Sequence, residues 1–400
     1  MKITSVDVIE LKVNRGEPMP HPVGAWRPVV CRINTDEGIY GYGEVALAFG
    51  IAAPAAIGML EDLAGLIIGM NPLDNEVIWD KLYKSTFWGQ NGGPVVFGGI
   101  SAIDIALWDI KGKFFDVPVS QLLGGKRREK LRSYASQLHY ACDSKVITVS
   151  KTEQDYVNAA KMAAAEGYNA VKVNPFVFDR DGRPFSSEEQ TGILSPYYLN
   201  LIEERIAAVR EGLGKDGDII AEFYGFTDAQ SIVQIAKRIE KYDIMCIEEP
   251  STATPKITKY IHDNINIPIA SGERIYTRWQ YAQYFEDGSL GMIQPDLGTC
   301  GGFTEVKKIV DMAYTYDIGY QAHVAGSPLL TAAALQIESV VPNFVIHEHH
   351  PFNKLQFNKE LCVHDYQPVN GYFEVPDLPG IGNELSELAI RNSNIITIKE

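Results

Sequence analysis

Apolar and polar residues alternate through ITSVDVIELKV, VVCRINT and GIYGYGEVA, the period-two pattern of half-buried strands. Asp36, Glu37 and Gly38 supply a turn between the second and third runs, so residues 1–45 read as a three-stranded meander. The stretch NRGEPMPHPVGAWRP between the first two runs is too rich in proline for regular structure. It carries His21, Trp26 and Arg27, residues suited to a lid over a polar anion, though a plain surface hairpin loop fits them equally well.

Over residues 51–124 the apolar period lengthens to three and four, the spacing of helices. The run ISAIDIALWDIKGKFFDVPVSQLLGG stops at Gly124 and Gly125. Strands followed by a block of helices describe an α+β unit. From residue 130 to 350, short apolar runs alternate with helix-period segments, as in a TIM-like (β/α) barrel. YNAVKVN is its second strand, preceded by a helix that Thr152 opens and Gly167 closes. The expected protein is α/β: an α+β capping domain over residues 1–128, a barrel over residues 129–360, and a segment 361–400 that packs back on the cap.

Three barrel runs, IIAEFYG, IMCIEEP and IPIASGE, meet a carboxylate where the apolar stretch ends. These are Glu222, Glu248 and Glu273, 26 and 25 positions apart, close to the length of one βα unit. Acidic residues can end strands merely because loops are wet. Three in register inside such apolar sequence would repel one another without a cation, and three carboxylates at one mouth suit Mg²⁺. Side-chain alternation puts Lys172 and Asn174 on one face, and Glu222 and Tyr224 on another. The sixth, seventh and eighth runs end at Asp296, His323 and Glu348. His347 and His349 fall opposite Glu348, which argues against a zinc site there.

Composition narrows the partners. With 51 acidic and 36 basic residues the chain carries a net charge of −15, which argues against nucleic acid or an anionic membrane. An anionic small molecule remains compatible, because a bound divalent cation inverts the local sign. The tract AAPAAIGMLEDLAGLIIGM is broken by Pro54, Glu61 and Asp62 and reads as a packed helix, not a membrane span. Five scattered cysteines without paired spacing look reduced, as in a cytoplasmic protein, and the N-terminus begins as a strand with no signal peptide.

An α+β domain followed by a barrel with carboxylates ending strands three, four and five resembles the enolase superfamily. The Asp296 and His323 pair, with Glu348, is similar to its mandelate racemase subgroup. SAIDIALWDIKGK, IEEP, GERIYTRW, IQPD and CGGFTEVKKI look like acid-sugar dehydratases of the galactonate type. The resemblance implies a Mg²⁺-dependent hydro-lyase that removes the α-proton of a sugar acid through an ene-diolate and expels the 3-hydroxyl, leaving a 2-keto-3-deoxy acid. It also implies a homo-oligomer. His323, supported by Asp296, is the expected base. Lys172, desolvated near the cation, should have a lowered pKa that makes it a second base or an electrostatic partner, or else it is a salt bridge to a metal-ligand carboxylate. Tyr224 is a candidate acid or a barrel-lining aromatic, and Asn174 and Glu348 would bind substrate, with the loop residues reading its stereochemistry. Two departures stand out. The chain has Lys172-Val173-Asn174 where the subgroup often carries Lys-x-Lys, and Glu222-Phe223-Tyr224-Gly225 where galactonate dehydratases look like Asp-Phe-His-Gly. An epimerase or cycloisomerase using the same ene-diolate, or a non-catalytic sugar-acid binder, is the competing reading.

Overall fold

The computed structural model describes residues 1–13, 26–47, 51–90, 92–142 and 147–399. Strands β1 (Ile3–Glu10), β2 (Val29–Thr35) and β3 (Tyr40–Val45) form an antiparallel meander. Helices α1 (Ala53–Ile67), α2 (Asn75–Ser85) and α3 (Pro94–Phe115) cover it, with Leu60, Ile78, Ile103 and Ala106 fully buried. Glycine decides how closely α3 approaches. A Cβ at Gly41 or Gly43 would lie 2.2 Å from the Ala106 carbonyl oxygen or 1.9 Å from that of Ala102. Only a strand without side chains there lets the helix backbone lie directly upon it.

The barrel strands are β4 (Lys130–Ala135), β7 (Ala170–Val173), β8 (Asp218–Glu222), β9 (Ile244–Glu248), β10 (Ile269–Ser271), β11 (Met292–Ile293), β12 (Gly319–Tyr320) and β13 (His347–His349). They are joined in parallel in that order, with β4 also beside β13, and a Tyr320↔Phe344 bridge closes the ring. A small hairpin of β5 (Tyr140–Cys142) and β6 (Ile147–Val149) follows the first barrel strand. The helix Glu153–Ala165 begins with a capping box at Thr152, and Gly167 follows it at φ +91°.

Alternation sorts the barrel strands into two faces. Tyr134, Ala170, Ile220, Cys246, Ala270, Met292 and Ile346 form a compact apolar cluster, separate from the larger core that also takes in Val171, Ile219 and Ile247. Two residues further along each strand, the same inward face carries Ser136, Lys172, Glu222, Glu248, Gly272, Gln294 and Glu348. The polar floor of the mouth is thus the layer above an apolar plug.

Beyond residue 360 the chain divides its pairing between the two domains. Strand β14 (Tyr372–Glu374) pairs antiparallel with β4 of the barrel, where it satisfies an edge that β7 leaves open. Only β15 (Asn394–Ile398) joins the cap sheet, alongside β1. Residues 381 and 384 also reach the cap, where the Ile381 N–H donates to Asp109 at 2.9 Å and Glu384 pairs with Lys113 at 2.7 Å, so the segment expected on the cap is shared between cap and barrel. Among the described residues no helix is long and apolar enough to cross a membrane.

Buried polar contacts lock cap to barrel. Asp104 on α3 accepts from the Thr304 backbone N–H and hydroxyl at 3.0 and 2.6 Å. Glu44 on β3 accepts from the Ser327 backbone N–H at 3.0 Å, and also from its hydroxyl. Burial pushes the Glu44 carboxyl up from 4.5 to about 7, against the pull of the Ser327 donors. A folded-state pKa above the unfolded value means that protonation favours the folded chain, so this group's contribution falls as pH rises from 4.5 to about 7. Urea unfolding of wild type and Glu44→Gln at about pH 5 and about pH 8 should show the variant losing less stability across that interval. Equal losses would show that Glu44 does not carry the effect.

Candidate active site at the barrel mouth

Each acidic residue is delivered by its strand. Glu222 and Glu248 are register partners at the ends of β8 and β9, and Glu273 lies two residues past β10. Lys172, on β7, puts its buried ammonium among three carboxylates: Glu248, with Glu348 at 2.8 Å and Glu222 at 3.4 Å. Burial alone would strip its proton, but Glu248, Glu348 and Glu222 reverse that and hold its pKa well above the ordinary lysine value. Glu348 is held low despite its burial by Lys172 and His323, and accepts from the Ser136 hydroxyl at 2.9 Å and the Val324 N–H at 3.0 Å. Glu222 goes the other way: burial and the adjacent Glu248 push its carboxyl well up.

His323 stands at the rim. Its Nδ1 lies 2.7 Å from Asp296 and its Nε2 lies 3.0 Å from Glu273. Burial disfavours the imidazolium, yet Glu273 and Asp296 outweigh it and raise the pKa well above the ordinary value. Glu273 is drawn down to about 2, because Arg274 and His323 overcome its burial. Arg274 also reaches the buried Glu249 at 3.1 Å. As the side chains stand, no three acidic, histidine or cysteine groups among the described residues converge on one ion-sized point. Glu273 turns toward Arg274 and His323, while the Lys172 ammonium lies beside the other two. The donor set nevertheless fits a hard cation. All three groups are carboxylates, and Glu222 Oε2 is buried without a hydrogen bond.

Tyr224 departs from the alternation expected of it. The strand ends at Glu222, and Tyr224 has φ +56°, with its N–H donating to Glu222 Oε1 at 2.6 Å. The side chain consequently swings to His139, whose Nε2 is 3.2 Å from the phenol oxygen. Burial and Glu222 raise its pKa well above 10, so it is a hydrogen-bond donor rather than a ready acid. Asn174 is buried and accepts from the Phe176 N–H at 2.9 Å, with its amide nitrogen unpartnered. His347 and His349 face away from the mouth, onto Glu338 and Tyr168.

The loop residues differ from the lid expectation. His21 lies outside the described residues. Trp26 is 1% exposed and packs on Phe352 with ring centroids 4.5 Å apart, so it is wall rather than open contact surface. Arg27 is exposed and paired with Glu10 of β1, because a carboxylate on the cap's own strand is within its reach.

Three residues of the site were absent from the sequence reading. Gln294 donates to Glu248 at 2.6 Å and to Gln321 at 2.8 Å; it shares the inward alternation of Met292, which could have found it. Arg274 adjoins Glu273 in sequence. His139 had no strand signal, since Gln137 takes a left-handed φ of +58° after β4 ends.

Residues 155–389 match the enolase C-terminal domain-like model, and residues 5–124 match the mandelate racemase/muconate lactonizing enzyme N-terminal domain. D-galactonate dehydratase from Pectobacterium atrosepticum is 32% identical over 89% of this chain and 88% of its own length. D-galactonate dehydratase from Xanthomonas euvesicatoria pv. vesicatoria is 29% identical over 94% and 92%. A crystal structure of an enolase superfamily member from Salmonella Typhimurium covers all of both chains at 49% identity and a TM-score of 0.95. A presumed dehydratase from Zymomonas mobilis ZM4 does so at 46% and 0.95. Dehydratases are hydro-lyases, and a chain with this barrel, this cap and these strand-end residues belongs to the mandelate racemase/muconate lactonizing enzyme group of the enolase superfamily.

Proposed function

We propose that the protein is a dehydratase of a sugar acid, taking a 2,3-dihydroxy acid to its 2-keto-3-deoxy product. The observation that carries the reading is His323, pinned by Asp296 at 2.7 Å at the rim beside the three strand-end glutamates. Asp296 accepts from Nδ1–H, and Nε2, which pairs with Glu273 in this structure, is the atom that would take the α-proton once Glu273 turned to a bound cation. Glu222, Glu248 and Glu273 would hold Mg²⁺, on which members of this superfamily generally depend. When bound, it supplies the Lewis acidity that makes a proton beside a carboxylate removable. Lys172 adds fixed positive charge below the substrate carboxylate, while Tyr224 hydrogen-bonds the departing hydroxyl, which leaves as water on the proton that His323 took from the α-carbon. Asn174 has an amide nitrogen to spare for a substrate oxygen. The relatives named D-galactonate dehydratase support the substrate class, and Tyr224 in place of the histidine expected there argues that the sugar differs.

A second reading, epimerisation, draws on Lys172. Its ammonium stands at the same mouth as His323, and a bound cation that drew Glu222 and Glu248 away from it would loosen the proton it could return to the α-carbon. Turnover in D₂O separates the two: a keto-deoxy acid marks dehydration, and deuterium in an otherwise intact sugar acid marks epimerisation.

A panel of mono- and diacid sugars should yield keto-deoxy product with Mg²⁺ and none after chelation. His323→Asn should keep the wild-type circular dichroism spectrum while kcat falls by about 10²–10⁴-fold; unchanged turnover would rule His323 out as the base. For Lys172→Met the expectation concerns stability. With chelator present, losing the ammonium among buried carboxylates should cost about 3–5 kcal/mol in denaturant unfolding. Mg²⁺ should recover part of that loss, and a variant as stable as wild type in chelator would contradict the electrostatic account.

A further inference from the structure

His139 is fully buried in the turn between β4 and β5. Its Nδ1 accepts from the Asn174 backbone N–H at 3.2 Å. A peptide N–H can only donate, so Nδ1 carries the lone pair and the neutral ring carries its proton on Nε2. Nε2 is the atom 3.2 Å from the Tyr224 oxygen. The imidazole is therefore the donor in this contact, and the phenol oxygen the acceptor. Burial, with the positive charges of Lys172 and Arg205, takes the His139 pKa down to about 3, so the ring stays neutral at working pH. The two rings meet edge-on, 6.0 Å apart. At the other end, the left-handed backbone of Tyr224 and its N–H bond to Glu222 fix where the side chain starts.

We propose that His139 is a positioning residue for the dehydration: its Nε2–H occupies the Tyr224 oxygen, so that the Tyr224 O–H is left to hydrogen-bond the hydroxyl that the substrate loses. The inference rests on the dehydratase reading. No proton changes owner in either contact. His139 keeps its N–H, Tyr224 keeps its O–H, and the pair only fixes the direction in which a donor points. With Nδ1–H in place of Nε2–H, Tyr224 would donate to His139 and offer the mouth only a lone pair. The backbone of Asn174 forbids that tautomer, and so the residue just past the strand carrying Lys172 also sets the polarity of the Tyr224 hydroxyl.

Two experiments test this. Nitrogen-15 NMR of histidine-labelled protein should show His139 as the neutral Nε2–H tautomer at pH 7, with its Nε2 resonance moving in Tyr224→Phe. A protonated Nδ1, or an imidazolium, overturns the proposal whatever the enzyme turns over. In kinetics, His139→Leu should lower kcat about tenfold, the effect of one hydrogen bond, with KM unchanged. His139→Gln, whose amide N–H can reach the same oxygen, should recover most of the loss. In a Tyr224→Phe background, His139→Leu should add nothing further. Additive losses, or equal losses in the Gln and Leu variants, overturn the proposal. Absence of keto-deoxy product from wild type with any sugar acid fails the dehydratase reading instead, and leaves the NMR result to decide the contact.

Discussion

Carboxylates crowded at one end of a barrel repel one another, and the Lys172 ammonium is what lets them coexist. It touches Glu222, Glu248 and Glu348, which come from three different strands, and each is almost wholly buried. Removing such charges from water costs several kcal/mol per ion, on the order of what a whole domain has to spare. The rest of the mouth extends the same compensation outward. Arg274 answers Glu273 and Glu249, His323 answers Asp296 and Glu273, and Gln294 donates to Glu248.

That arrangement is possible because the barrel supplies two stacked layers. Below, aliphatic and aromatic side chains plug the interior around Ile220 and Cys246. Above, the next inward residues are polar except for Gly272. Low dielectric beneath and fixed charge around strengthen every interaction at the mouth. The cap supports the same region from outside, through Glu44 at Ser327 and Asp104 at Thr304.

Much of this was legible in residue order. The period-two runs, the helical block and the strand-helix alternation identified the cap strands and the barrel, and the strand-end positions of Glu222 and Glu248 followed from the same pattern; Asp296 and His323 instead lie three residues past β11 and β12, and Glu348 lies within β13. Legibility failed wherever a single residue left the regular backbone. Tyr224 and Gln137 take left-handed φ values of +56° and +58° immediately after strands, and parity arguments stop there. That is why Tyr224 was placed on the Glu222 face and why His139 went unseen. Gln294 obeyed parity, but an amide has no motif to announce it. The turn of Arg27 onto Glu10 depends on which charge is nearest in space, which spacing along the chain does not encode.

The pairing of β15 with β1 has a consequence for how the chain is made. The residues that flank β1 on one side, Asn394–Ile398, follow the entire barrel in the chain and so leave the ribosome after it. Throughout synthesis, then, β1 presents an uncovered row of backbone donors and acceptors to its surroundings. Polar or charged side chains at Thr4, Asp7 and Glu10 along that strand are the features that discourage a neighbouring nascent chain from taking the vacant place.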